Sequence, residues 1–186
     1  TINHITGLGP SFYSNRIKIN FLNNILSPIY KYAFNSNKNI VNIFHNYSDR
    51  NTFISKNITS KQNSKVIPGS GVDINNFKRE TTKRNKNSIK KVLFPARIIK
   101  EKGIVELIYA CEDLWNENYK FVLNIAGEID TQNKSHINRK AFEYLIKKKN
   151  IFFLGKCNNM NQIYRNMDIV VLPSWREGLS KSILEA

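Results

Sequence analysis

Cysteine occurs only twice in the 186 residues, at Cys111 and Cys157. Their spacing is neither that of a zinc site nor that of a redox pair, so reduced thiols in a cytosolic protein are the simplest reading. Histidine is nearly as scarce. His4, His45 and His136 are scattered and fit no H-E-x-x-H pattern, so no metal is expected. No apolar run approaches the roughly 18 residues of a membrane span, and no signal-peptide pattern is visible. Negative charge is also short. Fourteen Asp and Glu stand against 29 Lys and Arg, a net charge of +15. A field of that sign attracts nucleic acid, anionic lipid or phosphorylated substrates. A duller cause is the joint richness in Asn, Lys and Ile that an AT-rich coding sequence gives. What remains is a globular composition, 41% apolar and 11% aromatic, long enough for one domain or one and a half.

The chemistry gathers in the last stretch. Ile169 to Leu172 is an apolar run that reads as a buried strand. Pro173, with no N–H for a ladder, stops it. A polar turn follows, where Gly178 can take backbone angles other residues avoid. A helix then opens near Ser180, or at Ser182, which forms a capping-box pattern with Glu185. Free N–H groups around Gly178, Leu179, Ser180 and Lys181 would make an anion site. Glu177 lies in the turn and Glu185 in the helix, with seven residues between them. A helix carboxylate can accept two hydrogen bonds from a vicinal diol such as a ribose, and a turn carboxylate can meet the other end of the same ligand. A nucleotide-sugar combines diol, diphosphate and sugar. The plain alternative is an exposed turn Glu beside a helix-start Glu that favours the helix dipole.

Read in order, the chain alternates strand and helix. Thr1 to Thr6 is a short strand running into Gly7-Leu8-Gly9-Pro10; Phe12 spoils a dinucleotide fingerprint there. Arg16 to Phe34 has helical spacing of Ile17, Phe21, Ile25, Ile29 and Tyr32, with Pro28 expected to kink or split it. Such a basic amphipathic helix either packs inward or lies on an anionic membrane. Asn39 to Phe44 is a strand, and Ser48 is the expected cap of a helix from Asp49 to about Lys56. His45, between them, reads as an ordinary loop histidine or a substrate ligand. Lys65 to Pro68 is a strand that leads through Gly69 and Gly71 to Phe77. Lys78 to Lys91 is a basic linker with no aromatic for base stacking, which argues against a nucleic-acid arm. Strands follow at Val92–Ala96, Lys120–Ala126 and Asn150–Leu154, with helices at Ile104–Asn116, around Phe142 and Leu145, and around Met160 and Tyr164. Ile98 to Gly103 reads as a loop. The rhythm predicts an α/β fold with a doubly wound, Rossmann-like parallel sheet. In such sheets ligands bind beyond the carboxyl ends of the strands. Arg97, Lys102, Gly127, Glu128, Gly155, Lys156 and the turn from Ser174 to Ser180 then share one rim.

Several of these segments carry a resemblance. Glu177-Gly178-Leu179-Ser180 through Glu185-Ala186 resembles the E-x7-E signature of the retaining GT-B glycosyltransferases known as glycosyl transferases group 1. Ser180 stands where many members have Pro, a minor departure. Arg97 to Gly103 resembles the family's R-x(n)-K-G segment, and Gly69 to Phe77 its crossing between domains. Thr6 to Gly9 resembles an acceptor-domain segment of members that build lipid-linked or surface polysaccharides. The resemblance implies that Glu177 lies against the donor sugar as the catalytic carboxylate. It implies that Glu185 holds the ribose, and that Arg97 and Lys102, with the Gly178–Leu179–Ser180 turn, bind the donor diphosphate.

It further implies part of an acceptor domain in residues 1–68, a crossing and linker in 69–90, and an incomplete donor domain in 91–186. The expected function is sugar transfer with retention from a UDP- or GDP-sugar to a glycan or lipid-linked acceptor. That transfer would serve cell-surface polysaccharide or lipopolysaccharide synthesis, in the cytoplasm or peripherally at the inner membrane face. No cofactor or metal is implied: two cations and helix-start amides would stabilise the leaving diphosphate. Thr1 in place of Met, and a helix still running at Ala186, lead to the expectation of a fragment, and a half-built acceptor sheet with open strand edges to that of weak or no turnover. The rival is a basic binding module for nucleic acid or anionic membrane without catalysis, resting on charge alone.

Overall fold

Seven parallel strands form among the described residues of the computed structural model. It describes residues 1–8, 17–36, 39–69, 71–78 and 88–186, with only the backbone given for 17–25. Gly9, Pro10, Phe12 and most of the basic linker lie outside the described residues, as do the side chains of Ile17, Phe21 and Ile25. The chain divides into two units, Thr1–Gly71 with Glu177–Ser180, and Val72–Arg176 with Lys181–Ala186.

In the first unit, β1 (Ile2–Ile5), β2 (Val41–Phe44) and β3 (Ser64–Val66) pair in that order, all parallel. The helix α1 (Ile17–Asn35) connects the first two strands and is not split at Pro28, one of the two outcomes expected there. Between β2 and β3 stands α2 (Tyr47–Ser55). Its cap is Asn46 rather than Ser48. Asn46 Oδ1 accepts from Asp49 N at 2.7 Å, so the helix begins two residues earlier than the sequence predicts. Phe44, Phe53 and Ile58 form the core, with Phe34 and Phe44 edge-on to Phe53. Buried Asn42 donates to Phe34 O and to Thr59 Oγ1 and accepts from Asn3 Nδ2, so its polar atoms are matched.

The second unit holds a four-stranded parallel sheet in the order β6 (Ile151–Gly155), β5 (Phe121–Ala126), β4 (Lys90–Pro95), β7 (Ile169–Val170). Alternation along β4 sends Val92 and Phe94 to one face and Leu93 to the other. The first face is covered by α3 (Ile104–Asn116) through Ile104, Leu107, Ile108 and Cys111, and by α4 (Arg139–Leu145) through Phe142. The second takes α5 (Met160–Arg165) through Met160, Ile163 and Tyr164. Helices on both faces make this the doubly wound arrangement the alternation predicts.

Two local expectations change here. Residues 98–103 are not a free loop. Ile98 and Ile99 are buried and bridge to Ile129 and His136, and Lys100–Lys102 make a 3-10 turn. Gly103 closes that turn at φ 73°, where a Cβ would lie 2.2 Å from Pro173 O, so only glycine fits. The strand expected from Ile169 to Leu172 shrinks to two residues. It pairs with β4 alone, at the edge of the described sheet, and Ile169 is exposed rather than buried.

Candidate functional site

The strands β4, β5 and β6 run parallel, so their carboxyl ends share one rim. Gly127 N donates to Gly155 O at 2.8 Å and draws two of those ends together. A cavity of about 200 Å³ opens on this rim. Arg97 from the end of β4, Glu128 from β5 and Lys156 from β6 line it. From the segment around α6 (Lys181–Leu184) come Ser182 and Glu185, and from α5 comes Tyr164. The wall therefore carries two cations, two carboxylates and two hydroxyls. That set offers partners both for an anion and for a hydroxyl-rich group.

Its charges are already engaged. Arg97 Nη1 donates to Asp130 Oδ2 at 2.6 Å, and Lys156 Nζ lies 3.2 Å from Glu128 Oε2. The Arg97 and Lys156 side chains are 55% and 70% exposed, and pairs of this kind contribute about 0–1 kcal/mol. A diphosphate offering several oxygens can displace such partners. Glu185 is different. Its side chain is only 13% exposed, with Lys181 Nζ 3.4 Å from Oε1. Beside it, burial first and then the Glu185 charge push the Tyr164 phenol up to about 12. Among the described residues, a second cavity of about 270 Å³ shares Tyr164 and Glu185 with the first.

Arg97 and Glu185 therefore line one cavity, although they lie far apart in sequence. Lys102 is half-buried in the 3-10 turn and does not line it. Glu177, Gly178, Leu179 and Ser180, expected in the donor domain, group with the first unit. There Asn46 Nδ2 donates to Gly178 O at 3.3 Å, and a Cβ on Gly178 would lie 2.4 Å from Thr6 O. Gly178 is thus needed for space, not for unusual backbone angles, since its φ is not positive. The helix that follows begins at Lys181 and spans four residues, so Ser182 is inside it and caps nothing. One turn is too short for much of a helix dipole.

Sequence reasoning missed two residues beside this cavity. Asp130 has no motif, and only the fold brings it to Arg97. Tyr164 reads as one more apolar position of a short helix. His45, read without partners, has His4 Nε2 at 2.8 Å from its own Nε2, so one ring donates and the other accepts. Parallel pairing of β1 with β2 was the available signal, because it sets both histidines at the same end of adjacent strands.

A family model described as glycosyl transferases group 1 matches residues 74–186. The chain is 29% identical over 93 residues to the capsular polysaccharide biosynthesis glycosyltransferase CapM of Staphylococcus aureus, covering 50% of this chain and 24% of that protein. It is 26% identical over 193 residues to the N,N'-diacetylbacillosaminyl-diphospho-undecaprenol alpha-1,3-N-acetylgalactosaminyltransferase of Campylobacter jejuni, covering 98% of this chain and 48% of that one. The structure superposes on Anabaena HepE in complex with UDP-glucose with a TM-score of 0.71 at 20% identity, covering all of this chain and 50% of HepE. The chain thus spans about half the length, or less, of the curated relatives it matches.

Proposed function

The chain belongs to the glycosyl transferases group 1 family, and on that premise we propose that it carries the donor-binding part of a retaining, nucleotide-sugar-dependent glycosyltransferase. The observation that carries this reading is that Arg97 and Glu185 line one cavity at the carboxyl ends of parallel strands. Arg97 offers a planar fork to a diphosphate. Glu185 offers a nearly buried carboxylate to the two hydroxyls of a ribose. Breaking the sugar–phosphate bond leaves negative charge on the departing diphosphate. Arg97, with Lys102 on the neighbouring turn, would stabilise it without a metal. The family resemblance also assigns Gly178, Leu179 and Ser180 to donor binding and Glu177 to the donor sugar. HepE holds UDP-glucose and the Campylobacter relative is named for a lipid-linked acceptor, so a UDP-sugar and a lipid-linked glycan are the donor and acceptor proposed here. Among the described residues no helix is long and apolar enough to cross a membrane. Work at the inner membrane face would then rest on peripheral contact, to which the net charge of +15 lends support.

The test is a titration of the chain with UDP- and GDP-sugars, with and without a chelator. Saturable binding that ignores the chelator is expected. Failure of every nucleotide-sugar to bind, with salt-sensitive binding to DNA instead, would overturn the reading in favour of a basic binding module.

A further inference from the structure

We infer that Tyr164 is a positioning residue for Glu185, its phenolic O–H kept for the carboxylate that takes the ligand's hydroxyl pair. The inference rests on the donor-site reading above and names a residue which that reading does not use. The ring is fixed. Tyr164 is 8% exposed, packs with Leu93 and Ala126 of the sheet, and meets Phe77 edge-on with centroids 6.0 Å apart. Its hydroxyl is buried and, among the described residues, has no hydrogen-bond partner. If only an aromatic ring were needed, Phe would fill the space without the cost of an unpaired buried donor. The groups that act on the hydroxyl are Ser182 and Glu185, near enough to influence it although neither completes a hydrogen bond. Tyr164, Ser182 and Glu185 all line the cavity that Arg97 reaches. The phenol is pushed up to about 12, so near neutral pH it keeps its proton and can only act as a neutral hydroxyl.

Glu185 needs such a neighbour. Lys181 reaches Oε1 at 3.4 Å from an exposed, flexible stem, which orients the carboxylate poorly. A carboxylate that serves two vicinal hydroxyls has to present both oxygens in a fixed plane. A donor on a rigid ring can hold that plane once the ligand draws the carboxylate onto it, and with the ring already fixed only the carboxylate is left to order.

The experiment is a double-mutant cycle on the full chain. UDP affinity is measured for wild type, Tyr164→Phe, Glu185→Ala and the pair, with thermal unfolding of each. The expected result is that Tyr164→Phe weakens UDP by about tenfold, as for one lost hydrogen bond to a charged group, with Tm unchanged or higher. In the Glu185→Ala background the same change is expected to shift UDP affinity by less than about twofold. Wild-type affinity in Tyr164→Phe, alongside weakened binding in Glu185→Ala, would overturn the role of Tyr164 and leave the donor-site reading standing. Equal weakening in both backgrounds would also overturn it, because the phenol would then touch the ligand without Glu185. If Glu185→Ala binds UDP like wild type, or nothing binds, the donor-site reading fails and takes this inference with it.

Discussion

Two neutral acids in the second unit are held back from ionising by the fold. Burial pushes the Cys111 thiol up to about 11, and burial followed by the Glu185 charge pushes the Tyr164 phenol up to about 12. The unfolded chain gives up these protons nearer 9.0 and 10.0, so above those values the unfolded state binds fewer protons than the folded one. Their contribution to stability is fully present below the unfolded values and is lost as pH rises through the folded ones. Denaturant unfolding in steps from about pH 8 to about pH 12 should therefore show stability falling from about pH 9 upward. Tyr164→Phe should flatten the upper part of that fall. A variant curve parallel to wild type would mean that the Tyr164 proton is not retained by folding.

At the scale of elements, the site depends on how the turn after β4 is seated. Gly103 joins the Arg97–Lys102 segment to α3 while its Cα faces the Pro173 carbonyl at the exit of β7. Gly103→Ala should cost about 1–3 kcal/mol, from the left-handed backbone and the displaced carbonyl together. Denaturant unfolding measures this, and a change below about 0.5 kcal/mol would show that the turn is not pinned. The same local devices explain what was legible in the sequence. Apolar runs between turn residues gave the strands and their order in the chain, and 3.6-residue spacing gave α3 with its observed bounds, because burial leaves those traces. Asn46 displaced Ser48 as a cap because the competition between two polar residues is settled by backbone geometry. The shortness of β7 could not be read either: an apolar run looks alike whether a strand has one neighbour or two. For the site, the family-like segments pointed to Arg97 and Glu185. Asp130 and Tyr164 escaped because their partners are set by tertiary approach alone.

For the whole molecule, the chain divides within the stretch expected as one donor domain. Arg97, Lys102 and Glu185 belong to the second unit, which has its own sheet, a core on each face and the cavity. Glu177 to Ser180 belong to the first. The grip on the nucleotide can therefore be tested on residues of the second unit alone. The central claim is that Arg97 reads the diphosphate and Glu185 the ribose within one cavity. Calorimetric titration of wild type, Arg97→Ala and Glu185→Gln with UDP, uridine and 2′-deoxy-UDP measures it. Arg97→Ala should weaken UDP while leaving uridine nearly unchanged. Glu185→Gln should weaken UDP by about 1.5–3 kcal/mol and erase the wild-type preference for UDP over its 2′-deoxy form. Variants that shift all three ligands equally, or shift none, would contradict the claim.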